Sequence, residues 1–172
     1  MISSGEKKAL SIIAIVVVVF VAVVGTSVFF LTRDDDKNHE PYLHLAVGDQ
    51  LHTIEPRWWC NLMLTSCDPE FTAKRPTAKV PVPVGTTVML TVSSEIADGL
   101  WNLLAVYRTP DNLADEVEYK HTTPGERYSM TLESTPDRVL LGVTVVPASA
   151  RLDQNDELLP RGELAVETAP AE

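Results

Sequence analysis

Basic side chains are scarce in this sequence. Against 24 Asp and Glu stand 14 Lys and Arg, a formal net charge of −10 over 172 residues. Setting aside Glu6, Lys7 and Lys8 leaves 23 acidic and 12 basic side chains, or −11 for the rest. Phosphate backbones and anionic lipid heads repel such a surface, so nucleic acid is excluded as a ligand class and membrane contact beyond an anchor gains nothing from charge. A basic partner would be steered toward it.

Catalytic signatures are also missing. There is no Gly-x-Ser-x-Gly elbow, no His-Glu-x-x-His helix, no glycine-rich phosphate loop and no dinucleotide fingerprint. Carboxylates such as Asp115, Glu116 and Glu118 could in principle pair for acid-base work, but in a Pro-bounded loop of an acidic protein they are expected to be solvated. The reading is therefore non-enzymatic, with no cofactor. The triplet Asp34, Asp35 and Asp36 is a poor metal site, because adjacent carboxylates in a polar segment do not preorganise a coordination shell.

Cysteine is nearly absent, with only Cys60 and Cys67. An immunoglobulin disulfide joins two sheets across many tens of residues, whereas this pair encloses the loop 61–66. A disulfide acting as a local staple is expected, and it implies an oxidising compartment. A zinc or copper site built from this pair with His44 and His52 is the minor alternative, as is redox work, for which the Cys-x-x-Cys spacing is lacking. His39 and His121 read as linker and surface residues.

What the sequence has in abundance is a long uncharged run. Residues 9–32 are mostly Val, Ile, Phe and Ala, preceded by Lys7 and Lys8. As a helix rising 1.5 Å per residue the run reaches about 36 Å, enough to cross a hydrocarbon core of about 30 Å. It is longer than the apolar region of a cleaved signal, and Ala-Val-Val-Gly-Thr-Ser at 22–27 is a poor cleavage site. The expected organisation is a cytoplasmic segment 1–8, a transmembrane helix 9–32, a linker 33–41, an ectodomain 42–168 and a tail 169–172. The lysines before the run and the cysteine pair after it place the N-terminus inside and the C-terminal domain outside a plasma membrane crossed once. Small side chains at Ala14, Ala22, Gly25 and Ser27 would let the helix approach a partner helix closely.

All 12 prolines lie beyond residue 40, where short alternating runs are separated by Pro, Gly, Asp and Asn. That pattern predicts an all-β ectodomain, an immunoglobulin-like β-sandwich, with strands at 42–47, 51–54, 58–64, 79–82, 87–92, 101–108, 116–121, 127–132, 139–146 and 163–168. Turns are expected at Gly48-Asp49, at 83–85 and at 154–156. The continuously apolar 140–146 should be central. Trp101, opening an apolar strand, should lie in the core. Trp58 and Trp59 must point to opposite faces of their strand, so one of them is a candidate partner-binding anchor.

The motifs PRWWCNLMLTSC, VPVPVGTTVMLTVSSEIADGLWNLLAVYR, VVPASA and RGELAV, following an apolar anchor, resemble a family of single-anchor actinobacterial envelope proteins with a Trp-Cys…Cys element and a β-rich ectodomain, a domain of unknown function. The similarity spans roughly 42–166, with Glu163-Leu164 where a more aromatic strand would be expected. The resemblance implies an accessory or interaction subunit on the outer face of a larger membrane complex. The fused cytochrome bc–aa3 respiratory supercomplex of actinobacteria, with its small anchored subunits, is the setting it suggests. An envelope lipid- or glycan-binding protein is the alternative.

Overall fold

The computed structural model describes residues 15–27, 41–110 and 115–171. The chain divides into two units, 1–39 and 40–172.

In the first unit residues 15–27 form helix α1. Every residue of α1 is exposed, and none is charged. Thr26 and Ser27 turn their hydroxyls back to the helix, Thr26 donating to Ala22 O (2.7 Å) and Val23 O (3.0 Å) and Ser27 to Val23 O (2.8 Å), so that the helix backbone takes up their polar groups. No described helix is long and apolar enough to cross a membrane. The remainder of the expected span 9–32, the segment 1–8 and all of the expected linker but Pro41 lie outside the described residues.

The second unit is an all-β sandwich. One sheet has the order β2-β1-β5-β8, formed by Gln50–Ile54, Leu43–Val47, Thr86–Val92 and Ser129–Ser134. The other runs β3-β11-β9-β6-β7, formed by Trp58–Trp59, Gly162–Glu167, Val139–Leu152, Trp101–Arg108 and Glu116–Thr122. β10 (Leu158–Pro160) pairs with β9, and β4 (Ala78–Lys79) runs parallel to β11. A one-turn helix, α2 (Ser94–Ala97), links β5 to β6.

Alternation puts Leu43, Leu45, Val88, Leu90 and Leu132 of the first sheet against Trp101, Leu103, Tyr107, Val145 and Leu164 of the second in one core. Trp101 is fully buried, as its sequence position implied. Gly48, at φ 60°, takes the left-handed position of the two-residue loop between β1 and β2, where a side chain would be strained.

Several expected strands differ from those observed. The run 58–64 supplies only two strand residues, because the chain turns at Asn61, whose Oδ1 accepts from Thr65 N (2.9 Å) while Leu64 enters the left-handed region at φ 57°. The run 79–82 is strand only to Lys79: Pro81 and Pro83 have no N–H to offer a ladder, although Val80 and Val82 remain buried and donate to Glu167 O (2.9 Å) and Thr168 O (3.0 Å). The run 127–132 begins two residues late, after a turn, and extends to Ser134. β9 continues past Val146 to Leu152, and β10 has no counterpart among the expected strands.

Candidate functional site

The short pairing of β3 with β11 sets Trp58 opposite Glu163 and Trp59 opposite Gly162. Because neighbouring strand residues alternate, the two indoles leave this corner in opposite directions and gather two different sets of partners.

On the Trp58 side, three donors converge on the Glu163 carboxylate. Trp58 Nε1–H donates to Oε2 at 3.1 Å, Lys74 Nζ donates to the same oxygen at 3.0 Å, and the Arg57 guanidinium donates to Oε1. Lys74 also lies over the Phe71 ring, 4.1 Å from its centroid, and Phe71 meets Trp58 edge to face at 5.2 Å. Trp58 is thereby only 5% exposed. Burial pushes the Glu163 pKa up, but the hydrogen bonds from Trp58, Lys74 and Arg57 outweigh it and hold the carboxyl below its ordinary value. A carboxylate so held stays ionised at neutral pH and acts as a structural hub, not as a proton donor.

On the other side, the Arg161 guanidinium lies over the Trp59 ring, 4.5 Å from its centroid, and donates to Glu95 O. Burial lowers the Arg161 pKa, and Glu95 offsets only part of that. Gly162 is required by contact: a Cβ there would fall 2.3 Å from Trp59 Cε3. Trp59 packs against the main core while Arg161 shields its outer surface.

Cys60 and Cys67 are joined in a disulfide, with Cα atoms 3.9 Å apart. Inside the loop they close, Asn61 N donates to Ser66 O (2.9 Å) and Asn61 Nδ2 to Thr65 Oγ1 (2.8 Å), leaving Leu62 and Met63 exposed at the tip. The bonded sulfurs are not thiolates available to a metal. His44 stacks on Tyr42 at 4.3 Å, and no group of three or more metal-capable side chains occurs among the described residues.

The carboxylates singled out for acid-base work are ion-paired. Arg138 bridges Glu116 and Glu118, both at 2.9 Å, and stacks over the Tyr107 ring at 3.7 Å; Arg108 meets Asp115 at 3.5 Å. Burial raises the Glu118 pKa, but hydrogen bonds from Lys120 and Arg138 lower it by more. Tyr107 is pushed up by burial and by Glu118.

A groove of about 610 Å³ lies on the outer side of the larger sheet, beneath the β9–β10 hairpin, with Leu100, Val146, Pro147 and Leu158 among its apolar lining and His121 among its polar. His121 Nδ1 and Asn102 Oδ1 are 2.7 Å apart. Of the small helix residues, Ala22, Gly25 and Ser27 lie on α1, and Ala14 is outside the described residues. Glu163, Lys74, Phe71, Arg57 and Arg161 had no place among the candidates read from sequence. The signal for Arg57, Arg161 and Glu163 was in the quoted motifs, at PRWWC and RGEL, whose charges fall next to the tryptophans once β3 meets β11; nothing local marked Phe71 or Lys74.

No curated protein and no solved structure matches the chain. A family model described as "Protein of unknown function (DUF2771)" matches residues 36–169. That match takes in the whole sandwich, with both cysteines, the tryptophan pair and Glu163, and the chain belongs to this family.

Proposed function

We propose that this protein is a non-enzymatic envelope protein, anchored in a plasma membrane by the run 9–32, whose sandwich serves as an accessory or interaction subunit on the outer face of a larger membrane complex. The observation that carries the reading is α1, which is apolar on every side and exposed on every side. Such a helix is at home only in lipid or against other apolar helices. The N-terminus is inside, the disulfide domain outside, and the small side chains Ala14, Ala22, Gly25 and Ser27 let the helix approach a partner helix closely. The single-anchor actinobacterial envelope setting, with the bc–aa3 supercomplex as the model partner, belongs to this proposal.

An immunoglobulin-like fold is part of the same reading. What supports it is the strand order: β1-β5-β8 in one sheet opposed to β11-β9-β6-β7 in the other matches strands A-B-E opposed to G-F-C-C′.

Mild detergent extraction followed by purification of the tagged full chain tests the proposal. Recovery in one large complex is the expected result, while a free monomer carrying bound lipid or glycan would move the assignment to the second reading, an envelope lipid- or glycan-binding protein, which the groove under the β9–β10 hairpin favours.

A further inference from the structure

β9 is the longest strand, and its last residues run beyond the start of β6. This overhang collects apolar side chains from three other segments. Ala148 N donates to Leu100 O (2.8 Å), Ala150 N donates to Leu62 O (3.0 Å), and Leu152 stands opposite Leu158 of β10. Leu62, Met63, Leu100, Leu152 and Leu158 therefore crowd one end of the sandwich, each between 42% and 54% exposed. At the opposite end, around the β1–β2 hairpin and the turn before β5, the exposed large apolar side chains are Leu51 and Val84.

The chain enters the domain at the crowded end. Tyr42 O accepts from Ser93 N (3.0 Å), Leu43 pairs with Val92, and Arg161, which follows β10, reaches Glu95 O in α2. A strongly acidic domain that concentrates five large aliphatic side chains at its tethered end has a surface shaped for an apolar phase.

We infer that this end is a lipid seat, which presses Leu62, Met63, Leu100, Leu152 and Leu158 into the headgroup boundary of a neutral lipid surface and fixes the orientation of the sandwich upon it. The inference rests on the reading of 9–32 as an anchor. Its occupant follows from tether length: residues 33–40 separate the apolar run from the domain, and eight residues fully extended reach about 28 Å at most. Charge selects the lipid. Asp98, Glu126, Asp153, Asp156 and Glu157 border this end against Arg127, Arg151 and Arg161, so acidic side chains outnumber basic ones, anionic heads are repelled and the contact is apolar insertion into neutral lipid.

The test uses the full chain, with Cys60–Cys67 kept oxidised, reconstituted in phosphatidylcholine vesicles containing a nitroxide-labelled phosphatidylcholine. A fluorophore is placed at Leu158→Cys or, as control, at Leu51→Cys. Quenching at 158 without quenching at 51 is expected, and it should be lost in the Leu62→Ser, Met63→Ser variant, which keeps the same tether and, its altered residues being exposed, the same melting temperature. Replacing part of the phosphatidylcholine with phosphatidylglycerol should reduce quenching at 158. Four results overturn the seat: equal signals at the two positions in vesicles that carry the protein; quenching at 158 that survives the double substitution; quenching that rises with anionic lipid; or concentration-dependent shielding of 158 in detergent alone, which would make the occupant a second copy. Failure of the full chain to float with vesicles overturns the anchor reading, and the seat with it.

Discussion

Two charge clusters in the sandwich are near mirror images. At the β3–β11 corner one anion, Glu163, collects the cations Arg57 and Lys74 and an indole N–H. Beside β7 one cation, Arg138, collects the anions Glu116 and Glu118. Each cluster is backed by aromatic rings, Trp58 and Phe71 at the corner and Tyr107 beside β7. They differ in what holds them. The corner joins three separate stretches of chain, at Arg57-Trp58, Phe71 to Lys74, and Glu163. The Arg138 cluster reaches from the turn before β9 to the edge strand β7, which already pairs with β6 along its whole length. A network that substitutes for missing ladder should matter more to stability than one laid over a finished sheet, even with similar distances.

The largest effect expected from this difference is at Glu163. Glu163→Ala leaves Arg57, Lys74 and the Trp58 N–H without their shared acceptor in a partly buried place, and should cost about 3 kcal/mol, the range for breaking a partly desolvated ion-pair network. Urea unfolding of the domain measures it. The emission of Trp58 should shift red with the same substitution, since the indole loses its cover.

Next is the staple. Cys60→Ser with Cys67→Ser should cost about 2 to 3 kcal/mol on the chain-entropy estimate for so short a loop while the sandwich still folds. Free thiols in the native protein, by alkylation and mass measurement, would contradict the disulfide. If the two substitutions at the corner are coupled through β3, combining Glu163→Ala with the cysteine changes should cost less than their sum, whereas Arg138 and the cysteines should be additive.

These contrasts also explain what was legible in the sequence. β5 and β6 fall where alternation and Gly or Pro punctuation put them, since their inward side chains are unmistakably apolar; β7 falls there as well, although its inward positions carry Glu118, Lys120 and Thr122. The disulfide followed from spacing and compartment. The corner did not, because it is tertiary: Arg57 and Glu163 are 106 positions apart, and nothing local announces their meeting. Even the apparent anomaly at 163, a glutamate where an aromatic strand residue was expected, is accounted for by the three donors aimed at it. Likewise the seven-residue strand expected from Trp58 was stopped by a side-chain turn at Asn61 that period-two patterning does not see. β10, three residues carrying a proline, is too short for any pattern to mark.

A smaller effect is expected at the second cluster. Arg138→Gln should cost about 0.5 to 1 kcal/mol, the scale of exposed ion pairs, because solvent screens Glu116 and Glu118 once the guanidinium is gone. Part of that loss is the stacking over Tyr107 and would be retained by Arg138→Lys only in part, since an ammonium cannot lie flat on a ring. A cost equal to that of Glu163→Ala would erase the distinction between the two clusters.

The smallest expected effect is in the acid limb of stability. Glu163 and Glu118 both have lowered pKa values in the folded protein, so each contributes stability that is fully present above the unfolded carboxylate value of about 4.3 and is lost as pH falls through the folded value. Acidification also relieves the repulsion within a chain of net charge −10 and pI near 4.8, a change of the opposite sign that spreads over the whole surface. The two are separated by difference. Between pH 7 and pH 3 the gap in unfolding free energy between wild type and Glu163→Gln should narrow as pH falls, because the wild type alone loses that carboxylate's contribution. Glu118→Gln should show the same narrowing with smaller amplitude, since Glu118 is more open to solvent and its partner Arg138 keeps Glu116. A gap at Glu163 that stays constant across the range would mean the Trp58, Lys74 and Arg57 donors do not favour the ionised form over the neutral one, and the corner would then be held by shape and the disulfide alone.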